Sequence, residues 1–213
     1  MKEYQRKLIE FLLEEKVLVF GAFQLKSGRT SPYFFNAGLF ASGKSLTKLA
    51  TFYADALLDS EMTYSVLFGP AYKGIPLVAA TSVVMFAQHN INASFCYNRK
   101  ERKDHGEGGQ IVGEMHGDVV IIDDVITAGT AIRESMRIIK ENSCHLSGVL
   151  VALDRQEKGL TELSAIQEIE ADYNVKVVSI IKLEHIIEYI ADKREYNSVI
   201  ESICAYRVAY GTK

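Results

Sequence analysis

The run Val119-Val-Ile-Ile-Asp-Asp-Val-Ile-Thr-Ala-Gly-Thr-Ala131 limits what this chain can fold into more than any other segment. Four consecutive apolar residues leave neither face of a strand polar, so a strand from Val119 to Ile122 must be covered on both sides. Two acids, Asp123 and Asp124, emerge at its C-terminal end. A turn of small residues, Thr127-Ala128-Gly129-Thr130, then opens a helical stretch that begins Ile132-Arg133-Glu134. A doubly buried strand feeding a helix is the repeating unit of a parallel sheet flanked by helices.

The rest of the chain keeps that rhythm. Residues 3 to 18 place Tyr4, Leu8, Phe11, Leu12 and Val17 at helical spacing. A strand-and-turn region from Phe20 to Phe40 follows, broken by Gly21, Gly28, Pro32 and Gly38, and the pattern is helical again from Ser42 to Ser60. Strands are predicted over Tyr64 to Phe68, Ala93 to Tyr97, Ser147 to Leu153 and Lys176 to Ile180. Helices are predicted from Gly74 to Gln88, Thr130 to Glu141 and Ser164 to Tyr173, with further helical segments at the end. This is an α/β chain: one domain over 1–213, a parallel twisted sheet flanked by helices, with a small hood formed mainly by the first ~40 residues. Ligands of such sheets bind beyond the strand C-termini, where Asp123 and Asp124 emerge.

Composition narrows the function classes. A net charge of −3 supplies no global field for nucleic acid. Cys96, Cys144 and Cys204 are odd in number and widely spaced, which reads as reduced thiols rather than a disulfide frame or zinc site. The N-terminus turns acidic at Glu14-Glu15, unlike a signal peptide, and the longest apolar stretch, Pro76 to Ala87, falls short of the ~20 residues a bilayer needs. A cytoplasmic protein without membrane or nucleic-acid partners is expected.

Five segments carry chemistry. The Thr127–Thr130 turn offers backbone N–H groups, a helix dipole and two hydroxyls to a phosphate, while Asp123 and Asp124 accept hydrogen bonds from sugar hydroxyls. That combination suits a sugar phosphate. Gly69-Pro-Ala-Tyr-Lys-Gly74 reads equally as a plain strand-to-helix turn or as an anion loop carrying Tyr72 and Lys73. Residues 99 to 109 gather Arg99, Lys100, Arg102, Lys103 and His105 with three glycines; on pattern alone this is solvated surface, or else a mobile cationic arm able to cover a leaving anion. Leu25 to Asn36 holds Lys26 beside Phe34 and Phe35, a hairpin turn or a flat slot for a planar anion. Arg155, in Asp154-Arg-Gln-Glu-Lys-Gly159, is able to grip a carboxylate with two parallel hydrogen bonds.

The Val119–Ala131 run resembles the phosphoribosyl-diphosphate motif of type I phosphoribosyltransferases. Lys-Ser-Gly-Arg-x-Ser-Pro-Tyr-Phe together with Arg-Lys-x-x-Lys-Asp-His-Gly-Glu-Gly is similar to the orotate phosphoribosyltransferases, in their short form without a fused decarboxylase barrel. The resemblance implies the type I fold and transfer from 5-phosphoribosyl 1-diphosphate (PRPP) to orotate, giving orotidine 5′-monophosphate and diphosphate. Mg²⁺ is implied as cofactor, held mainly by the diphosphate, ribose hydroxyls and water, with no protein metal site. It further implies PRPP binding by Lys26, Tyr72, Lys73, Arg99, Lys100, Lys103, His105 and the run Asp123, Asp124, Val125, Ile126, Thr127, Ala128, Gly129, Thr130 and Ala131. Orotate falls to Phe34, Phe35, Thr127 and Arg155, and the catalytic roles to Lys103 and Asp124. Such loops often carry a non-proline cis peptide, here expected at Ala71-Tyr72. A homodimer is implied, with Arg99, Lys103 and His105 reaching the neighbouring site while Lys100 serves its own. Two alternatives remain at this stage: transfer to another nucleobase, and a non-catalytic PRPP-sensing regulator.

Overall fold

The computed structural model describes residues 1–25, 27–103, 109–127, 129–159 and 161–212. In chain order, α1 (Glu3–Glu14) leads to a hairpin of β1 (Leu18–Gln24) and β2 (Thr30–Phe35). Helix α2 (Gly43–Ser60) precedes β3 (Val66–Gly69), α3 (Gly74–His89), β4 (Phe95–Lys103) and β5 (Gly109–Val112). Then come β6 (Asp118–Val125), α4 (Thr130–Glu141), β7 (His145–Asp154), α5 (Ala165–Tyr173) and β8 (Lys176–Lys182). Helices α6 (Leu183–Ile190) and α7 (Asn197–Tyr210) finish the chain. Among the described residues, no helix is long and apolar enough to cross a membrane.

The main sheet has the order β5-β4-β3-β6-β7-β8, parallel except for the antiparallel edge pair β4–β5. The hairpin β1–β2 is a separate two-stranded sheet, and β2 contacts α7.

Strand alternation explains why the central strands carry no polar face. Leu67, Val120, Ile122 and Leu150 point into a core shared with α1, α2, α3 and α6. Their neighbours Val66, Val119, Ile121 and Val149 point into a second core shared with α4 and α5. Val119 to Ile122 are all 0% exposed. Each such side chain contributes roughly 1.5–3 kcal/mol of transfer free energy. Two buried faces therefore pin the register of β6, because a one-residue slip would drive Asp123 into apolar packing.

The sheet also fixes where a ligand can sit. From β3 the chain steps outward to β4 on one side; from β6 it steps to β7 and β8 on the other. The order reverses between the adjacent strands β3 and β6, which opens a crevice at their C-terminal ends.

Three expectations are corrected. Residues 99 to 103 belong to β4 rather than to a loop, since Lys103 pairs with Gly109 across the hairpin to β5. The β3–β4 pairing ends at Tyr97, and past it Lys100 and Glu101 are exposed, so charge is tolerated there. Strand β6 does not stop at Ile122: Asp123 and Val125 stay in register with Val151 and Leu153, so the ladder satisfies their backbone although the side chains turn polar. At the N-terminus α1 ends at Glu14, Lys16 takes a left-handed φ of 55°, and the chain redirects Val17 into the core.

Candidate active site

Because β6 extends through both acids, Asp123 and Asp124 follow its alternation and face opposite sides of the crevice. Asp124, 6% exposed, meets Lys73 from the β3–α3 loop, Nζ to Oδ2, at 2.6 Å. That contact ties the β3–α3 loop to the end of β6. Asp123, 8% exposed, faces the start of α4. Its Oδ1 accepts the Asp124 N–H at 2.9 Å, and its own carbonyl accepts the hydroxyl of fully buried Tyr53 at 2.7 Å. Burial first, and then the adjacent Asp124 carboxylate, push the Asp123 carboxyl up to about 7. A carboxylate so disposed gains from any hydroxyl that donates to its charged form.

Between β6 and α4 lies a cavity of about 230 Å³, lined by Asp123, Val125, Ile126, Thr127, Gly129, Thr130 and Ala131. It is smaller than the ~300–1,000 Å³ typical of sites that enclose a whole drug-sized ligand, which suits a phosphate-bearing fragment. Gly129 precedes α4 in a left-handed conformation, φ 71°, and has no side chain to cap the helix. The first N–H groups of α4 and their dipole thus aim at the cavity. A Cβ at Gly129 would meet Nη1 of Arg133 at 2.7 Å, which that flexible side-chain end can relieve, so it is the left-handed φ that disfavours larger residues. Thr127 and Thr130 are exposed at the mouth.

The β3–α3 loop forms the opposite wall. The Ala71–Tyr72 peptide is cis, as expected. The Ala71 N–H donates to Oδ1 of Asn98 on β4 at 2.8 Å. Tyr72 projects into solvent, with Lys100 Nζ 4.9 Å from its ring centre. Gly69 lets the loop close tightly onto α3: a Cβ there would lie 2.3 Å from the Gly74 carbonyl oxygen.

On the separate hairpin, Phe34 and Phe35 occupy opposite faces of β2. Phe34 is exposed and stacks on Phe23 at 5.5 Å, whereas Phe35 packs against the main core. The two rings do not form one slot. Arg155 follows β7, its side chain 14% exposed and its Cζ 4.4 Å from the Tyr33 ring centre. Nη2 donates to Glu157 Oε1 at 2.6 Å and to Ser31 Oγ at 3.2 Å.

Arg99 and Lys103 lie on β4. Lys26, His105 and Ala128 fall outside the described residues. Sequence reasoning missed Tyr53, Asn98 and Glu157. Tyr53 carries only the periodicity of a core residue on α2. Asn98 has one available signal, a polar residue in an otherwise apolar strand start, and Glu157 has its place two residues after Arg155.

Residues 39–180, which run from the turn before α2 into β8, match the phosphoribosyl transferase domain family. That segment excludes β1, β2, α6 and α7, so it speaks for the sheet and its crevice. Full-length likeness reaches further. The chain is 58% identical over 212 residues to orotate phosphoribosyltransferases of Pseudoalteromonas translucida and Shewanella oneidensis, covering 99% of each chain compared. The chain belongs to the orotate phosphoribosyltransferases. A solved orotate phosphoribosyltransferase from Francisella tularensis superposes with a TM-score of 0.89 at 44% identity, covering 97% of this chain and all of that one. Membership of the orotate phosphoribosyltransferases thus rests on the hairpin and C-terminal helices as well as on the sheet. These added parts set Tyr33 against Arg155 and Tyr206 against Glu157.

Proposed function

We infer that the chain transfers the phosphoribosyl group of PRPP to orotate, releasing diphosphate and forming orotidine 5′-monophosphate. The observation that carries this is the meeting, at one crevice, of a helix N-terminal cavity, two buried acids and Lys73. On this reading the cavity holds the 5-phosphate and the acids accept the ribose hydroxyls. Lys73 and Tyr72 face the diphosphate with Lys26 and Lys100. Arg155, Phe34, Phe35 and Thr127 receive orotate.

The chemistry follows from charge. Departure of diphosphate leaves positive charge on the ribose carbon and added negative charge on the leaving oxygens. Asp123 and Asp124 favour the former; the cations of 99–105, Lys103 foremost, favour the latter. The remaining contribution is placement of the orotate nitrogen against that carbon. Among the described residues no three metal-ligating side chains converge. Mg²⁺, which prefers oxygen ligands and keeps several waters, fits here as the companion of the diphosphate, where it would neutralise charge.

Several finer features belong to the same reading. The β1–β2 hairpin, packed on α7, acts as a hood over the sheet edge. The working unit is a homodimer with Arg99, Lys103 and His105 lent across subunits. Val83 and Phe86 on α3 and Phe95 on β4, exposed by 65%, 59% and 37%, supply an apolar face for that pairing. The three cysteines are free, in keeping with a cytoplasmic enzyme.

One assay tests the reaction. The protein is mixed with PRPP and Mg²⁺, orotate, uracil and hypoxanthine are offered separately, and diphosphate release is followed. Release with orotate alone is expected; release with another base, or with none, overturns the reading. Shared sites are tested by mixing inactive Arg99→Ala with inactive Asp124→Asn. Recovered activity supports the lent loop, and none refutes it.

A further inference from the structure

We propose that Tyr53 is a positioning residue for PRPP: its hydroxyl fixes the peptide that joins Asp123 to Asp124, and with it the spacing of the two carboxylates that receive the ribose hydroxyls. This rests on the reading of those acids as the ribose acceptors. Tyr53 itself lies on α2 and is 0% exposed, so it acts through the backbone and not by touching a ligand.

The contacts converge on one peptide unit. The Tyr53 hydroxyl donates to the Asp123 carbonyl at 2.7 Å. The N–H of that same amide belongs to Asp124 and donates to Asp123 Oδ1 at 2.9 Å. One residue on, the Val125 N–H donates to Asp124 Oδ1 at 2.9 Å. Each carboxylate is thus closed onto the amide that follows it, and the orientation of the backbone decides where both point. Because the acids leave the strand on opposite faces, a tilt of this peptide carries them in opposite senses. A ribose, whose hydroxyls sit on a stiff ring, cannot follow both.

The position needs such an anchor. Asp124 is the last residue but one of β6, where the ladder gives way to a loop and local opening is easiest. Tyr53 ties this end to α2, which packs into the main core through Leu49, Phe52 and Leu57. A phenylalanine would fill the same space without burying a hydroxyl. The bond to the carbonyl also polarises the amide and strengthens its N–H as a donor to the ionised Asp123. Burial first, and then the charges of Asp124 and Asp123, hold the phenol well above its usual range, so it stays a donor. Two other charged groups face Asp123: Asp124 on its own strand and Lys73 from the β3–α3 loop. Removing the hydroxyl alters neither.

Tyr53→Phe tests this, because it keeps the ring and removes only the oxygen. Calorimetry with Mg²⁺-loaded PRPP is run on wild type and Y53F at about pH 6.5 and about pH 8.5, together with the orotate KM at saturating PRPP. Y53F should bind PRPP about tenfold more weakly at the higher pH and about twentyfold more weakly at the lower. The difference has this sign because a weaker amide donor lets Asp123 keep its proton to higher pH. The orotate KM should stay within about twofold of wild type. Comparing the two proteins at each pH removes the titration of the ligand's own phosphates. PRPP affinity in Y53F within about twofold of wild type at both pH values overturns the positioning role and leaves the function intact. A wild type that takes up no PRPP removes the reading beneath the proposal, and both fall. Parallel losses for PRPP and orotate indicate general loosening and overturn the proposal, as does a PRPP loss of equal size at both pH values. If Y53F does not fold, amide hydrogen exchange on the wild type decides. Exchange at the Asp124 N–H as slow as at the centre of β6 supports the anchor, and exchange as fast as in an exposed loop overturns it.

Discussion

Asp123→Asn should make this protein more stable at alkaline pH while weakening its hold on PRPP. The side chain is 8% exposed and has its carboxyl raised to about 7 by burial and by Asp124. The unfolded chain titrates this group near 3.8, so between these values the folded state binds the extra proton. Stability therefore falls as the pH rises through the window and levels off above it. Asparagine has nearly the same shape, keeps an acceptor for the Asp124 N–H, and carries no charge to desolvate. Each pH unit within the window costs the wild type about 1.4 kcal/mol that the variant does not lose. From about pH 5 to about pH 8, the stability difference between variant and wild type should grow by roughly 2–3 kcal/mol. Against a total of ~5–15 kcal/mol for a domain, that is readily measured. Urea unfolding of both proteins at both pH values gives the double difference, in which titrating groups that do not interact with Asp123 cancel. PRPP titrations over the same range should show affinity rising more steeply with pH in the wild type than in the weaker variant, whose remaining slope is that of the ligand's own phosphates. A double difference below about 0.5 kcal/mol, or one of opposite sign, would refute the claim that Asp123 pays a desolvation cost for its place in the crevice.

Three further outcomes follow from other contacts. Lys103→Ala should cut turnover by about 10²–10³ at saturating substrates, the range for losing one charge-stabilising donor, as read by diphosphate release. Tyr53→Phe removes the 2.7 Å bond to the Asp123 carbonyl inside the core and should cost about 1–3 kcal/mol in chemical denaturation, with the fold retained. Gly129→Ala places a Cβ 2.7 Å from Arg133 Nη1 at a φ of 71°; PRPP affinity by calorimetry should fall by about tenfold or more, while orotate alone binds as before.

What was legible in the chain divides by sequence distance. The central parallel strands showed because Val119–Ile122 and Val149–Leu153 are apolar without a break, and only a sheet covered on both faces can use such runs. The crevice showed because Asp123, Asp124 and the Gly129 turn are consecutive, so their chemistry is local. The β4–β5 hairpin did not show: beyond Asn98 the sequence of its first strand is a run of charged residues without apolar alternation, and its partner Gly109–Val112 is a short edge strand without a periodic signal. Still less visible were the bonds that hold the functional groups in place. Tyr53 reaches Asp123 across 70 positions, Asn98 reaches Ala71 across 27, and Tyr206 reaches Glu157 across 49. None has a spacing rule, because each is set by how helices land on a finished sheet. A motif thus declares what touches substrate, while precision of placement resides in residues that read as ordinary core. For this chain the consequence is concrete. Substitution at Lys103 should slow the chemistry itself, whereas substitution at Tyr53 should loosen the fold that places Asp123.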